Sequence, residues 1–190
     1  MEALKINEGL AVCMEKLRGQ LDKLPLIGTY KVELVRDGEV VHSEEGFNTI
    51  TIEGKNKMLD VAFHNTTQIA TWYIGLVDNS GAGAFAEAHT YAGIGGTNGW
   101  NEFVSYTEGT RGEWTEGAAS SKSITNSTAV TFSINASGTV KGICLVGGGT
   151  NASGKADNAG GGTMWTEAAF TSPVSVANGD SLKITYTINS

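Results

Sequence analysis

The chain has 190 residues, enough for one domain with a hydrophobic core and a short appended element. Its net charge of −7, from 13 Lys and Arg against 20 Asp and Glu, argues against a basic face that grips nucleic acid. Gly is abundant at 26 residues and Pro is scarce at 2, which favours tight turns in a mainly β fold. No apolar run of about 18 residues and no secretory signal follow the first Met, so we expect no contact with a membrane.

Residues 1–24 differ from the rest of the chain because their apolar residues follow a helical spacing. An apolar residue recurs every three or four positions, at Leu10, Met14, Leu17, Leu21 and Leu24. This is a heptad seam, and Pro25 ends it. We therefore predict an N-terminal helical arm over residues 1–28, followed by a single β domain over residues 29–190. The arm can pack on its own domain or on a partner, including a second copy of the chain.

The first part of the β domain predicts a hairpin and a short helix. Two alternating stretches flank Asp37-Gly38 in TYKVELVRDGEVVHSEEGFN, a strong signal for a two-residue hairpin turn. The stretch EGKNKMLDVAFH, residues 53–64, has helical spacing and ends at His64. We expect its buried face to contain Met58, Leu59, Ala62 and Phe63.

From residue 69 onward the pattern is that of strands separated by Gly-rich loops. The continuous apolar run ATWYIGLVD, residues 70–78, predicts a central strand, whereas the alternation of SLKITYTIN predicts one buried and one wet face. Further strands are predicted in residues 101–107, 120–135, 138–148 and 164–170, and Gly-rich loops at 79–99 and 147–162. The predicted core consists of Trp72, Tyr73, Ile74, Leu76, Phe103, Phe132, Ile134, Leu145, Leu182, Ile184 and Tyr186.

Histidines and cysteines do not form a recognisable metal site in the sequence. None of His42, His64 and His89 has metal-ligand spacing to another histidine or to a carboxylate. Cys13 and Cys144 are far apart, and we interpret them as isolated buried thiols. We therefore expect no metal and no cofactor.

The segment WNEFVSYTEGTRGEWTEG, residues 100–117, is the strongest candidate for catalysis. It places four carboxylates near aromatic rings: Glu102, Glu108, Glu113 and Glu116 beside Trp100, Tyr106 and Trp114. Paired carboxylates with an aromatic platform are what a glycosidase uses. Carboxylates in a Gly-rich loop are ordinarily solvated, and the two Trp can cap a core, so we expect no enzyme. A sugar-binding surface without catalysis is the alternative that these aromatic residues leave open.

Three stretches resemble a family of tailed-phage virion proteins. Residues 47–79 contain N-x-x-T-x-x-G-x-N-x-x-L-D followed by W-Y-x-G-L, and residues 100–146 form the second stretch. The third, residues 164–190, contains A-N-G-D-x-L-x-[VI]-x-Y, the most recognisable motif of the three. The similarity spans most of 47–190 in the family's order and does not cover residues 1–46.

The resemblance implies a capsid cement or decoration protein, which binds the outside of the shell and bridges major capsid subunits. Such a protein is made in the host cytoplasm and ends in the virion, on the capsid exterior. The expected partners are the major capsid protein and further copies of this chain in a dimer or trimer, without nucleic acid or membrane. A tail or fibre component, or a receptor- or glycan-binding module of the virion, is the alternative.

Pattern and resemblance together predict an antiparallel, jelly-roll-like β-sandwich with an N-terminal amphipathic helix and one short additional helix. The arm and the two Gly-rich loops are the expected contact patches. The candidate interaction surface comprises Leu10, Met14, Leu17, Leu21, Phe85, Tyr91, Trp100 and Trp114. No residue is assigned a catalytic, cofactor-binding or metal-binding role.

Overall fold

The structure, a computed structural model, describes residues 26–81 and 83–190, and within them the fold is mainly β, as the sequence predicts. One α-helix, α1, spans Ile52–Phe63, and a short 3₁₀ helix spans Tyr91–Gly93. The strands are β1 Ile27–Arg36, β2 Glu39–Phe47, β3 Thr49–Ile50, β4 Trp72–Asp78, β5 Glu102–Phe103, β6 Gly112–Glu113, β7 Ser123–Thr125, β8 Val130–Ser133, β9 Gly138–Gly147, β10 Thr163–Val176 and β11 Ser181–Asn189.

The strands form two antiparallel sheets. The first sheet has the order β2-β1-β11-β7, with β8 also paired to β11. The second sheet has the order β3-β10-β9-β4-β5, with β6 also paired to β4. The turn at residues 134–137 therefore carries the chain from the first sheet, at β8, to the second, at β9. Most of the predicted arm lies outside the described residues, and Ile27 and Gly28 already belong to β1.

The predicted hairpin is confirmed as β1 and β2, joined at Asp37 and Gly38. Both residues have positive φ, 51° and 86°, which is the backbone of a type I′ turn. Gly adopts this conformation without strain, and Asp tolerates it better than most residues do. The turn, together with a one-residue shift in pairing between Leu34 and Val35, sets the register of the edge strand β2, in which Phe47 lies opposite Thr29.

The two sheets share one core, to which both contribute alternate residues. Nine of the eleven predicted core residues are buried in it or at its edge, among them Phe132, Leu182 and Tyr186. Trp72 and Tyr73 are only half-buried, because they lie at the start of β4. Trp72 nevertheless packs against the shared core, whereas Tyr73 packs on the far side of the second sheet.

The second sheet is buried on both faces, which explains its continuous apolar runs. Its far face carries a second cluster, formed by Val77, Tyr91, Ile94, Trp100, Cys144, Val146, Ala152 and Met164. Tyr91, Ile94 and Trp100 belong to the first Gly-rich loop or directly follow it, and Ala152 belongs to the second. The two loops predicted as contact patches are thus a covering layer, here called the loop layer, packed on the second sheet.

The helix α1 has the predicted bounds within one residue, but its buried face differs from the prediction. Thr51 caps it by accepting the Gly54 N–H at 3.0 Å, and His64 follows its last turn. The helix faces the protein through Gly54 and the half-buried Met58. At 100° per residue Leu59 and Phe63 then point away, and they and Ala62 are exposed, which corrects the predicted buried face.

Replacing Gly54 by Ala is expected to destabilise the protein, although Ala is the better helix former. A Cβ at this position meets the main-chain O and Cα of Trp165 at 2.7 and 2.8 Å, atoms that cannot move aside independently. We expect a loss of about 1–3 kcal/mol in thermal or urea unfolding, instead of the gain of about 1 kcal/mol seen in exposed helices. Gly109→Ala is the matched control, because nothing lies within 4 Å of its Cβ position. Equal stability of the Gly54 variant and the wild type contradicts this packing.

Candidate interaction surface

The outer face of the first sheet is not covered by a layer comparable to the loop layer in the described part of the chain. Because Tyr30, Val32 and Leu34 of β1 point into the core, the residues between them point outward. This outward surface, here called the open face, comprises Thr29, Lys31, Glu33, Glu45, Phe47, Lys183, Thr185 and Thr187.

The open face is polar in its middle and apolar at both ends. A shallow depression of about 450 Å³ runs between β2, β1 and β11, and Phe47 forms part of its wall. Phe47 is 74% exposed, and Ile27 lies near it at the start of β1. At the hairpin end Val40 and Val41 are exposed. A partner that covers either end buries exposed apolar surface, which favours association.

The charges of the open face are solvated and contribute little to the stability of the fold. Lys31 and Glu33 form an ion pair at 2.8 Å, with side chains 41% and 28% exposed. Solvent screens such a pair, so its net contribution to folding is small. These charges can therefore pair with charges on another protein. Such pairs raise the association rate and orient the two proteins more than they raise the affinity.

The aromatic residues predicted as an interaction surface lie mostly inside the protein. Tyr91, Trp100 and Trp114 are 1%, 1% and 3% exposed, so they offer no accessible surface, contrary to the prediction. Each Trp ring fills a core cluster while its N–H finds an internal acceptor. Phe85 is half-buried, with its ring centroid 6.2 Å from that of Trp100. The remaining candidates, Leu10, Met14, Leu17 and Leu21, lie outside the described residues.

Glu102, one of the four candidate catalytic carboxylates, is locked in a buried ion pair with Arg111. Arg111 Nε lies 3.0 Å from both carboxylate oxygens and its Nη2 lies 2.7 Å from Oε2, and neither side chain is exposed. The Ala156 N–H donates a further hydrogen bond at 2.8 Å. Burial raises the pKa of Glu102, and the adjacent guanidinium opposes that rise. Both carboxylate oxygens thus have internal partners.

Arg111 also fastens the second Gly-rich loop to the rest of the protein. It donates to the main-chain oxygens of Ala152 and Asp157 at 2.8 and 2.7 Å. The Arg111 main-chain N–H donates to the Ser153 oxygen at 2.8 Å. Since Ala156 is bound through Glu102, one ionic centre holds four residues of a Gly-rich loop in place.

The other three candidate carboxylates lie at the surface. Glu108 is half-buried and accepts the Ser133 N–H at 3.1 and 3.2 Å. Burial acts to raise the pKa of Glu108, but its hydrogen bonds outweigh this effect and lower the pKa below its ordinary value. Glu113 and Glu116 are exposed. Glu102 consequently does not share a solvent-filled cleft with a second carboxylate, the arrangement that the glycosidase alternative requires.

Sequence reasoning missed a second buried carboxylate, Glu167, which holds the first Gly-rich loop. Glu167 accepts hydrogen bonds from the Ala86 main-chain N–H and from Trp100 Nε1 at 3.0 Å. His89 Nδ1 lies 2.8 Å from its Oε1, outside the alignment of a hydrogen bond. Burial raises the pKa of Glu167, and its contacts with His89 and Ala86 oppose that rise. A single charge within the apolar run MWTEAAF was the signal that could have identified it.

Other kinds of site find no support in the part of the chain that the structure describes. Residues 26–81 and 83–190 contain no group of three or more His, Cys, Asp or Glu able to hold a metal ion. No helix in these ranges is long and apolar enough to cross a lipid bilayer. Cys144 is buried, as predicted, and burial raises the pKa of its thiol to about 12.

Comparisons with known proteins add no family. No protein-family model matches this chain, and no curated protein matches it.

Proposed function

We propose that this protein is a structural component of a tailed-phage particle, which binds the capsid exterior and bridges major capsid subunits. The observation that supports this best is the difference between the two sheets. The second sheet is covered by the loop layer, whereas the first presents the open face, with Phe47 exposed at one end. A protein that acts only by binding another protein needs an accessible surface of this kind on a rigid scaffold.

The rigidity of the scaffold suits this role. Glu102, Arg111 and Glu167 fasten the Gly-rich loops internally, so little chain has to be ordered when the open face binds. Weak contacts repeated over a lattice, or within a dimer or trimer of this chain, add as avidity. A protein that binds only the assembled shell stabilises it by mass action. The proposal includes the finer fold, a jelly-roll-like sandwich with an N-terminal helix.

The alternative role, in a tail or fibre, uses the same scaffold but a different partner. Its glycan-binding form relied on Trp100 or Trp114 as an exposed platform for sugar rings, and both are buried. A solvent-exposed aromatic does exist at Phe47, where it lines the shallow depression of the open face beside Thr and charged side chains. Because Trp100 and Trp114 are buried, we propose the shell rather than a glycan-binding fibre as the place of this protein.

Co-sedimentation with shells tests the proposal. The protein is mixed with unexpanded and with expanded capsids of the phage that encodes it, and bound protein is quantified. We expect saturable binding to expanded shells, weakened at least about tenfold by Phe47→Ser, since truncating an aromatic anchor costs about 1.4 kcal/mol or more. Val104→Ser, at another exposed apolar residue outside the open face, is the matched control and should bind as the wild type does.

Different failures of this experiment have different meanings. Absence of binding to either form of shell ends the capsid proposal, and capture by purified tails instead establishes the alternative. If the Phe47 variant binds shells as well as the wild type does, the shell remains the partner but the open face is not the contact surface. Both variants should unfold within about 0.5 kcal/mol of the wild type, because the replaced side chains are exposed.

A further inference from the structure

The outward side of α1 carries a row of residues with heptad spacing that no described residue covers. Ile52, Leu59 and Phe63 are 46%, 48% and 85% exposed. Asn56 lies between them, so the positions 52, 56, 59 and 63 are separated by 4, 3 and 4 residues. This row is here called the outer seam. It is the geometry by which one helix packs along another.

An apolar outer seam is unusual because α1 already packs on the protein through its opposite side. Met58 contacts the shared core, and Gly54 lies against the Trp165 main chain. A helix that is apolar on two opposite sides is normally covered on both. Phe63 alone presents most of an aromatic ring to solvent, so a helical partner for this side gains substantial apolar burial.

The chain itself contains a segment with the complementary pattern. Residues 10–24 carry apolar side chains at spacings of 4, 3, 4 and 3, the same alternation of three and four as in the outer seam. The segment is about 21 Å long as a helix, and the outer seam is about 16 Å long. One helical face of the segment is therefore long enough to cover the whole row.

The fold also brings the start of the described chain close to the beginning of α1. The described chain starts at Leu26, and the Gly28 carbonyl accepts the Asn48 N–H at 3.1 Å, four residues before Ile52. Leu24 lies three residues before Ile27, a span of at most about 11 Å. A short connection keeps the local concentration of the segment high, which favours its own α1 over that of another copy.

We propose that residues 10–24 form a helix that packs antiparallel along the outer seam of the same chain. Leu24 then lies near Ile52 and Leu17 near Leu59. This inference is independent of the proposed function. It assigns the arm to its own domain and leaves the open face as the surface that meets other proteins.

A disulfide test uses the full chain and its own Cys13. In the antiparallel arrangement Cys13 lies beside the last turn of α1, where Ala62 is exposed on the flank of the seam. Dilute Ala62→Cys protein, treated with oxidised glutathione, should form a disulfide between Cys13 and the introduced thiol within one chain, seen as a monomer that has lost two hydrogens. Cys144 does not compete, since its buried thiol has a pKa of about 12. Glu39→Cys, exposed in the distant hairpin turn, should form none.

Each other result of the disulfide test overturns the proposal. A disulfide between two chains shows that a second copy covers the seam. Absence of any disulfide in Ala62→Cys, or equal formation in Glu39→Cys, shows that residues 10–24 do not dock there. Adding Cys13→Ser must abolish the intramolecular product, otherwise the bond involves Cys144.

Hydrogen exchange supplies a measurement that does not depend on thiols. In the Leu59→Asp, Phe63→Asp double variant we expect amides of residues 10–24 to exchange at least about tenfold faster than in the wild type. Protection of β9 and β11 should be unchanged, which shows that the variant is folded. Equal exchange of residues 10–24 in both proteins contradicts the proposal. If the amides of β9 and β11 also exchange faster, the double variant is partly unfolded and Leu59→Ser replaces it. Faster exchange of residues 10–24 in that variant supports the proposal, and unchanged exchange contradicts it.

Discussion

Arg111→Met is expected to lower the free energy of unfolding by about 3–5 kcal/mol, because it leaves a buried carboxylate without its counterion. The guanidinium is wholly buried, and its partner Glu102 is buried as well. The substitution also removes the donors to Ala152 and Asp157, so their main-chain oxygens lose partners. The second Gly-rich loop should therefore loosen together with the loss of stability.

Urea unfolding and hydrogen exchange measure these two effects. The double variant Glu102→Met, Arg111→Met should be more stable than Arg111→Met alone, since replacing both members of a buried pair removes the unpaired charge. Lys31→Met breaks an exposed pair and serves as the control, with little change in the free energy of unfolding expected. Equal losses in Lys31→Met and Arg111→Met contradict the assignment of Arg111 as the fastening residue.

The Arg111 variant should also acquire a pH dependence with a defined sign. Burial already raises the pKa of Glu102, and removing the guanidinium takes away the main contact that opposes this rise. A carboxyl whose pKa is higher in the folded than in the unfolded state binds more protons when folded, so stability falls as the pH rises. The stability difference from wild type should therefore be larger at about pH 8 than at about pH 5.

Trp114→Ala is expected to lower the free energy of unfolding by about 3–5 kcal/mol, the range for an aromatic residue removed from a core. The ring is 3% exposed, and its centroid lies 6.0 Å from that of Tyr186 in an edge-on arrangement. Its Nε1 donates to the Tyr186 main-chain oxygen at 3.0 Å. The variant loses ring contacts, leaves a cavity and leaves that oxygen with fewer partners.

Urea unfolding followed by circular dichroism distinguishes this structural role from the interaction role that the sequence suggested. Trp114→Phe should cost less, about 1–3 kcal/mol, because most of the ring volume remains and chiefly the hydrogen bond is lost. Phe47→Ala, which truncates an exposed aromatic, should change stability by less than about 0.5 kcal/mol. A stable Trp114→Ala protein with impaired shell binding reverses the two assignments.

The elements of the fold were predictable because each depends on residues that are neighbours in sequence. The turn at Asp37-Gly38 needs two residues that tolerate positive φ, and Thr51 caps α1 three residues before the N–H that it accepts. The alternation in β11 placed Leu182, Ile184 and Tyr186 in the core correctly. The continuous apolar run of β4 correctly indicated a central strand, which lies between β9 and β5 in the second sheet.

The candidate site was predicted less well, because exposure depends on what packs from elsewhere in the chain. Gly-rich stretches have the composition of mobile loops, yet Glu167 and the Glu102–Arg111 pair anchor them from other strands. Trp100 resembles a surface aromatic in a polar segment until the loop layer places it against Val146 and Met164 in the second cluster. Helical spacing correctly predicted α1, but it did not show which of the two apolar sides of the helix packs on the rest of the protein.

Local spacing and turn chemistry were thus sufficient to predict the hairpin, the helix, the long strands β4, β9 and β11 and most of the core, since periodicity of 2 or 3.6 follows directly from backbone geometry. The strands predicted over residues 101–107 and 120–135 are shorter in the structure, which has only β5 in the first range and β7 and β8 in the second. The tertiary structure alone decided which sheet is covered, which carboxylates are buried and which aromatics remain exposed. These properties arise from contacts between residues far apart in the chain, such as Trp100 with Glu167 and Arg111 with Ala152. Their physical origin is removal of water by a distant segment, which no pattern within a single segment contains.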